Sequence, residues 1–149
     1  MTTIREAADL DVVRELFREY QAAVTAPLCF ASFDAELAAL PAPYSALLVA
    51  EVEYSLAGCV ALKPLTDQIA EVKRLYVRPA FRHLGLGEQL LRAVADAAYR
   101  LGYTTIRLDT LPSMTAAIHL YQRLAFVPIE RYNDIPEPGA LFFELRITN

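Results

Sequence analysis

The segment Glu71-Val-Lys-Arg-Leu-Tyr-Val-Arg-Pro-Ala-Phe-Arg-His-Leu-Gly-Leu-Gly87 joins a β-rich run to the start of a long amphipathic helix. Two of the chain's five glycines, Gly85 and Gly87, close it. A helix N-terminus presents unpaired N–H groups and a partial positive charge, and glycine lets an anion approach the backbone with no Cβ in the way. A phosphate or pyrophosphate is the guest such a turn suits. The plainer reading is that Gly85 and Gly87 only permit a tight strand-to-helix turn. A P-loop would need Gly-Lys-Ser/Thr here, and a dinucleotide fingerprint would need a third glycine where Leu90 stands, so both nucleotide readings weaken. Upstream, Val72 and Leu75 are three residues apart, whereas inward residues of a regular strand are two apart. A β-bulge would restore the phase, and bulges concentrate near active sites.

Working outward, apolar spacing predicts a helix from Leu84 to Leu101, with Gly87, Leu90, Leu91, Val94, Ala98 and Leu101 on one side and Gly102 ending it. A strand over Thr104 to Leu108 follows, then a helix capped by Ser113 and running to Leu124 with Ala117, Leu120, Tyr121 and Leu124 inward. Strands over Phe126 to Arg131 and Ala140 to Ile147 complete that half. Before the central segment, Thr3 to Arg5 reads as a strand. Asp9 can cap a helix carrying Leu10, Val13, Phe17, Tyr20 and Val24. Ser32 to Leu40 reads as a short helix stopped by Pro41 and Pro43. Ser45 to Glu53, Leu56 to Leu62 and Ile69 to Val77 read as strands, the first two joined through Tyr54-Ser55.

The chain has 149 residues, 55% of them hydrophobic and 21% charged, which suits one domain over residues 1–149 with a full core and excludes intrinsic disorder. Its apolar runs, such as Ala46 to Ala50 and Ala57 to Leu62, are strand-sized, so no membrane span is expected. A formal charge of −4 argues against nucleic acid as the main ligand. The first ten residues show no basic segment followed by an apolar stretch, so a cytoplasmic location is expected. Cys29 and Cys59 belong to no metal-ligand pattern and read as buried thiols, so no metal is expected.

The segment from Glu71 to Gly87 resembles the cofactor motif of the GNAT superfamily of acyl-CoA-dependent N-acyltransferases, whose signature is Arg/Gln-x-x-Gly-x-Gly/Ala after a strand ending in a Val-x-Pro-like segment. Ala117-Ile-His-Leu-Tyr121-Gln-Arg-Leu-Ala-Phe126 resembles the family's later Ala-x-x-Leu-Tyr-x-x-x-Gly-Phe element. The two cover about Ile69 to Val127 in the right order. The resemblance implies a single α/β (α+β) domain: a mixed, mostly antiparallel sheet of six or seven strands, with a splayed central strand pair, flanked by about four helices.

The resemblance also implies roles. Acetyl-CoA would be the acyl donor and coenzyme A the product. The backbone of Leu75, Tyr76 and Val77 would meet the thioester carbonyl and pantetheine arm. Amides of His83, Leu84, Gly85, Leu86, Gly87 and Glu88 would cradle the pyrophosphate beside Arg82. Acyl transfer needs a neutral amine, whereas an alkyl ammonium has a pKa near ~10.4, so a base or a desolvating pocket must help. Glu71 stands where several family members place that base; others relay the proton through water. Tyr121 is implied as the hydroxyl that protonates the leaving thiolate, its alternative being simple packing. The chain departs from the pattern at His83, Met114 and Ala125. Met114 replaces an asparagine that contacts the cofactor, leaving Ser113 as the nearest polar substitute.

For the acceptor, Tyr20, Phe30, Tyr44, Arg74, Tyr132 and Asn133 are candidates, and Arg74 with Arg131 could grip an acceptor carboxylate. An arginine pocket would suit an amino acid, the acidic chain a cationic amine, and the sequence leaves both open. The favoured reading is an N-acetyltransferase acting on a primary amine of a small molecule or peptide by direct attack. Alternatives are a catalytically silent acyl-CoA-binding sensor or interaction module on the same fold and a hydrolase using Cys59 with His83 or His119. Homodimerisation is implied by the resemblance and suggested by the apolar run Ala140-Leu-Phe-Phe143, which burial inside its own sheet would explain equally well.

Overall fold

In the computed structural model, which describes residues 1–23, 33–135 and 137–148, a seven-stranded sheet carries four helices. The chain runs β1 (Thr2–Glu6), α1 (Leu10–Ala23), α2 (Phe33–Ala39), β2 (Ala46–Val52), β3 (Ser55–Pro64), β4 (Ile69–Val77), α3 (Leu86–Arg100), β5 (Thr105–Thr110), α4 (Thr115–Arg123), β6 (Val127–Ile129) and β7 (Leu141–Arg146). The strand order is β1-β2-β3-β4-β5-β7-β6, antiparallel throughout except for the parallel pair β4 and β5. The expected element order is therefore observed, with a single 3₁₀ turn at Pro79–Phe81 added before α3.

Each face of the sheet has its own apolar layer. Leu90, Leu91 and Val94 of α3 and Leu120 of α4 pack on Val72, Ile106 and Phe143. On the other face Val13, Leu16 and Phe17 of α1 and Leu37 of α2 pack on Val49, Cys59 and Ala61. Burying one such side chain contributes about 1.5–3 kcal/mol, so helix docking outweighs the weak propensity of helices this short. Asp9 caps α1 as its sequence suggests, its Oδ1 accepting the Asp11 amide at 2.9 Å.

Several local expectations are corrected. The β2–β3 hairpin turns at Glu53 and Tyr54, with φ of 49° and 68°, so Val52 pairs with Ser55. That places the turn one residue before the expected Tyr54-Ser55, and its primed-turn geometry is one that neither side chain advertises. Helix α3 starts at Leu86 because Gly85 holds a left-handed φ of 79° and acts as the N-cap. Leu101, expected inward, is 54% exposed beyond the last turn. Helix α4 is capped by Met114 without a side-chain hydrogen bond, so Ser113 does not cap it. The run Ala140 to Phe143 enters β7, which lies between β5 and β6, and Phe142 and Phe143 are both buried within this chain. Val24, Cys29, Phe30 and Ser32 lie outside the described residues.

Two features shape the middle of the sheet. Ala61 pairs with Lys73 and Cys59 with Tyr76, so Arg74 and Leu75 together oppose Val60. This is the bulge the spacing of Val72 and Leu75 demands, and Arg74 occupies it with φ of 57°. Strands β4 and β5 pair only over Ile69 to Glu71 against Thr105 to Arg107. Beyond that they diverge, leaving the later edge of β4 without a strand partner.

Candidate active site

A cavity opens where β4 and β5 part, walled by Lys73, Arg74 and Leu75 of β4, Asp109 of β5, Tyr20 of α1 and Tyr121 of α4. Alternation along β4 sends Val72, Leu75 and Val77 toward the α3–α4 layer, while Tyr76 joins the α1–α2 layer. The bulge resets the phase between them, so the unpaired edge carries side chains of opposite character on its two faces.

Polar groups crowd one side. Glu71, the last residue of β4 to pair with β5, and Asp109 of β5 bury side chains that are 4% and 7% exposed. Lys73 Nζ lies 3.8 Å from Glu71 Oε1 and 3.8 Å from Asp109 Oδ2. From the loop after β6, Tyr132 donates its hydroxyl to Glu71 Oε2 at 2.6 Å. Asn133 Nδ2 donates to the same oxygen at 3.1 Å and to Asp109 Oδ2 at 2.7 Å. Asp109 Oδ1 accepts no hydrogen bond from a described residue. Burial, and next the adjacent Glu71 carboxylate, push the Tyr132 phenol far above its usual range, so it stays a donor.

Arg74 is fixed from behind. Its Nη2 and Nε donate to Glu36 Oε1 and Oε2 at 2.6 and 3.2 Å, and its guanidinium lies 5.9 Å from the Tyr20 ring centroid. Tyr44 donates to the same Glu36 carboxylate at 2.8 Å. Arg131 donates to the carbonyls of Ile135, Glu137 and Pro138 and stacks 5.0 Å from the Phe142 ring. The expectation that Arg74 and Arg131 grip an acceptor carboxylate is thus corrected: one guanidinium forks onto Glu36 and the other ties down its own loop. Tyr44 likewise supports Glu36 and does not line the cavity, whereas Tyr20 does. Burial pushes the Tyr20 phenol up to about 12.

Tyr121 sits on the inward face of α4, its ring 5.7 Å from Phe126 and 6.0 Å from Phe143. The residue is 6% exposed, and its hydroxyl takes no hydrogen-bond partner among the described residues. Burial drives that phenol well above the usual range, so it is protonated at neutral pH.

The strand-to-helix turn behaves as its glycines suggest. Among the described backbone hydrogen bonds the amides of His83, Leu84, Gly85, Leu86, Gly87 and Glu88 have no acceptor; the first helical bond is Gln89 to Gly85 at 3.2 Å. His83 and Gly85 hold positive φ of 68° and 79°, and a Cβ at Gly85 would meet nothing within 4 Å, so the space beside Gly85 is open. A Cβ at Gly87 would touch Leu120 at 3.4 Å, so Gly87 also allows α3 to pack closely on α4. Arg82 anchors the turn to β4 by donating to the Val77 carbonyl at 3.0 Å, which engages one of the backbone groups expected to meet the cofactor. Ser113 is exposed, and Met114 accepts from Thr110 through sulfur at 3.4 Å. Six amides without a backbone acceptor at a helix N-terminus, with open space beside Gly85, suit a pyrophosphate.

Sequence reasoning missed Lys73, Asp109 and Glu36. Lys73 stands two residues from Glu71 and so on the same face of β4, a signal present in the sequence. Asp109 needed β5 to extend two residues past its expected end. Glu36 looked like an ordinary charge on a short helix. Cys59 is buried, its thiol donates to the Arg74 carbonyl at 3.4 Å, and burial pushes its pKa far up, so it is no nucleophile. Among the described residues no group of His, Cys, Asp and Glu could hold a metal ion, and no helix is long and apolar enough to cross a membrane.

With this geometry established, likeness to known proteins is informative. The profile of the acetyltransferase (GNAT) family matches residues 10–126. An uncharacterized N-acetyltransferase of Schizosaccharomyces pombe is 34% identical over 154 residues, spanning 99% of this chain and 94% of the relative. A proposed acyl-CoA N-acyltransferase of Klebsiella pneumoniae superposes with a TM-score of 0.77 at 25% identity, covering 99% of both chains. A proposed acetyltransferase of Salmonella typhimurium, solved with its cofactor acetyl-CoA, shares the fold with a TM-score of 0.79 at 24% identity, covering 100% of this chain and 95% of that one.

Proposed function

Because the chain belongs to the acetyltransferase (GNAT) family, we propose that it transfers the acetyl group of acetyl-CoA to a primary amine of a small molecule or peptide, by direct attack of the amine on the thioester. The observation that carries this reading is the parting of β4 and β5, with an amide-lined turn at the end of β4 and buried carboxylates beside the opening. When bound, acetyl-CoA supplies an electrophilic thioester carbonyl and a thiolate leaving group.

Every other contribution belongs to the chain. The amides of His83 through Glu88 and the remaining N–H groups of Arg82 hold the pyrophosphate. The unpaired edge of β4 at Leu75, Tyr76 and Val77 offers backbone groups to the pantetheine arm, with Ser113 and Met114 beside it. Glu71, acting with Asp109, takes a proton from the incoming ammonium, and burial excludes competing water. Tyr121 offers a protonated hydroxyl that no described residue claims, and it donates toward the departing sulfur. Cys59 plays no covalent part.

Calorimetric titration with acetyl-CoA, free CoA and ATP tests the cofactor, and thiol release over a panel of amines tests transfer. Micromolar binding of both CoA species, much weaker ATP binding, and amine-dependent thiol release are expected. Binding without release from any amine would favour the silent acyl-CoA sensor; absence of CoA binding would overturn both.

A further inference from the structure

We propose that the acceptor is a cationic primary amine bearing no carboxylate on the carbon next to its nitrogen; the inference rests on the acetyltransferase reading for its chemistry, but on its own observations for the selectivity. Among the described residues the carboxylates of Glu71 and Asp109 face a single ammonium, that of Lys73, at 3.8 Å from each. Their surroundings keep one negative charge in excess, in a setting where charge–charge interactions are only weakly screened. Two independent features direct that excess toward a ligand. Asp109 lines the cavity, and its Oδ1 accepts no hydrogen bond from a described residue. Across the same cavity Tyr121, 6% exposed as a residue, has a hydroxyl with no hydrogen-bond partner among the described residues.

An incoming ammonium cancels the excess. Passing one of its protons to the carboxylates then leaves the total charge in the cavity unchanged, which keeps the transfer inexpensive in a buried site. The C–N bond forms as the C–S bond breaks. Of the two protons the nitrogen gives up, one ends on the coenzyme A sulfur and the other leaves to solvent. An α-amino acid brings a carboxylate with its ammonium, and nothing in the wall is ready for it. Among the described residues the two cations lining the cavity are already engaged, Lys73 by Glu71 and Asp109 and Arg74 by the fork of Glu36. Residues 24–32 contain neither Lys nor Arg. A further carboxylate placed against Asp109 is disfavoured, since like charges in a desolvated site repel.

Matched amines that differ only at that carbon provide the test: phenylalanine, phenylalanine amide and 2-phenylethylamine, together with leucine and 3-methylbutylamine. Binding is read by calorimetry on the whole protein saturated with free CoA, and transfer by thiol release from acetyl-CoA. The decarboxylated and amidated compounds should bind, and be acetylated, with at least about tenfold advantage over the parent amino acids. In Asp109→Asn that advantage should shrink severalfold while CoA binding is retained. Equal or better binding of the amino acids, binding of none of the compounds, or an unchanged preference in Asp109→Asn would each overturn the inference. Selective amine binding without any thiol release would instead uphold it and sink the acetyltransferase reading.

Discussion

Asn133 donates through one amide nitrogen to both Glu71 and Asp109, at 3.1 and 2.7 Å, so a loop residue bridges carboxylates on two strands that have just ceased to pair. The splay that opens the cavity is thus held to a fixed width on its polar side by a side chain from beyond β6. The same loop is secured at its far end by Arg131, which binds the carbonyls of Ile135, Glu137 and Pro138.

Replacing that bridge should be felt twice. Asn133→Ala leaves two buried carboxylates with fewer donors, which costs about 1–3 kcal/mol. Urea unfolding should show the loss as a lower midpoint, and thiol release should show kcat/KM reduced by roughly tenfold as Glu71 and Asp109 lose their common orientation. Full stability together with full activity would mean that the bridge is incidental.

Tyr121→Phe separates chemistry from packing. The ring contacts with Phe126 and Phe143 survive the change, and the hydroxyl has no described partner to lose. Thermal stability and CoA affinity should therefore stay close to wild type, while turnover falls by about 10²-fold or more if the hydroxyl protonates the leaving sulfur. Unchanged turnover would reduce Tyr121 to a core residue.

The contrast between Tyr121 and Asp109 shows what a sequence can carry. Tyr121 and the glycine turn lie within local motifs whose resemblance to a known family implies their roles, and the bulge at Arg74 is visible as the misphasing of Val72 and Leu75. The network around Glu71 is assembled from β4, β5 and the loop after β6, separated by up to 62 residues, and no local pattern encodes that meeting. For the same reason Arg74 could be mistaken for an acceptor clamp. Its commitment to Glu36 spans 38 residues and depends on how α2 lies against the sheet.

Two substitutions at one glycine test the cradle. Gly85→Ala places a methyl where nothing lies within 4 Å, so its cost is the left-handed φ of 79°, about 1 kcal/mol, with CoA affinity largely kept. Gly85→Asp bears the same backbone strain and adds a carboxylate beside the amides. Its CoA affinity should fall by about 10²-fold or more as like charges meet. Calorimetry on both variants, with circular dichroism to verify folding, gives the comparison. Equal CoA affinity in the two variants would remove the pyrophosphate from this turn.

Alkaline pH should destabilise the protein through its tyrosines. Burial raises the phenols of Tyr20, Tyr44, Tyr121 and Tyr132 above their usual value, Tyr20 to about 12 and the others further. Above about pH 10 the unfolded chain therefore binds fewer protons than the folded one, and stability falls as pH rises. The contribution is fully present below pH ~10 and is lost progressively from there up through about 12, where Tyr20 ionises in the folded state. Tyrosinate absorbance and far-UV circular dichroism followed together from neutral pH upward should show part of the phenol signal withheld until the helices melt. Complete tyrosine ionisation while the circular dichroism remains native would show that these phenols meet solvent and that the walls of the cavity open freely.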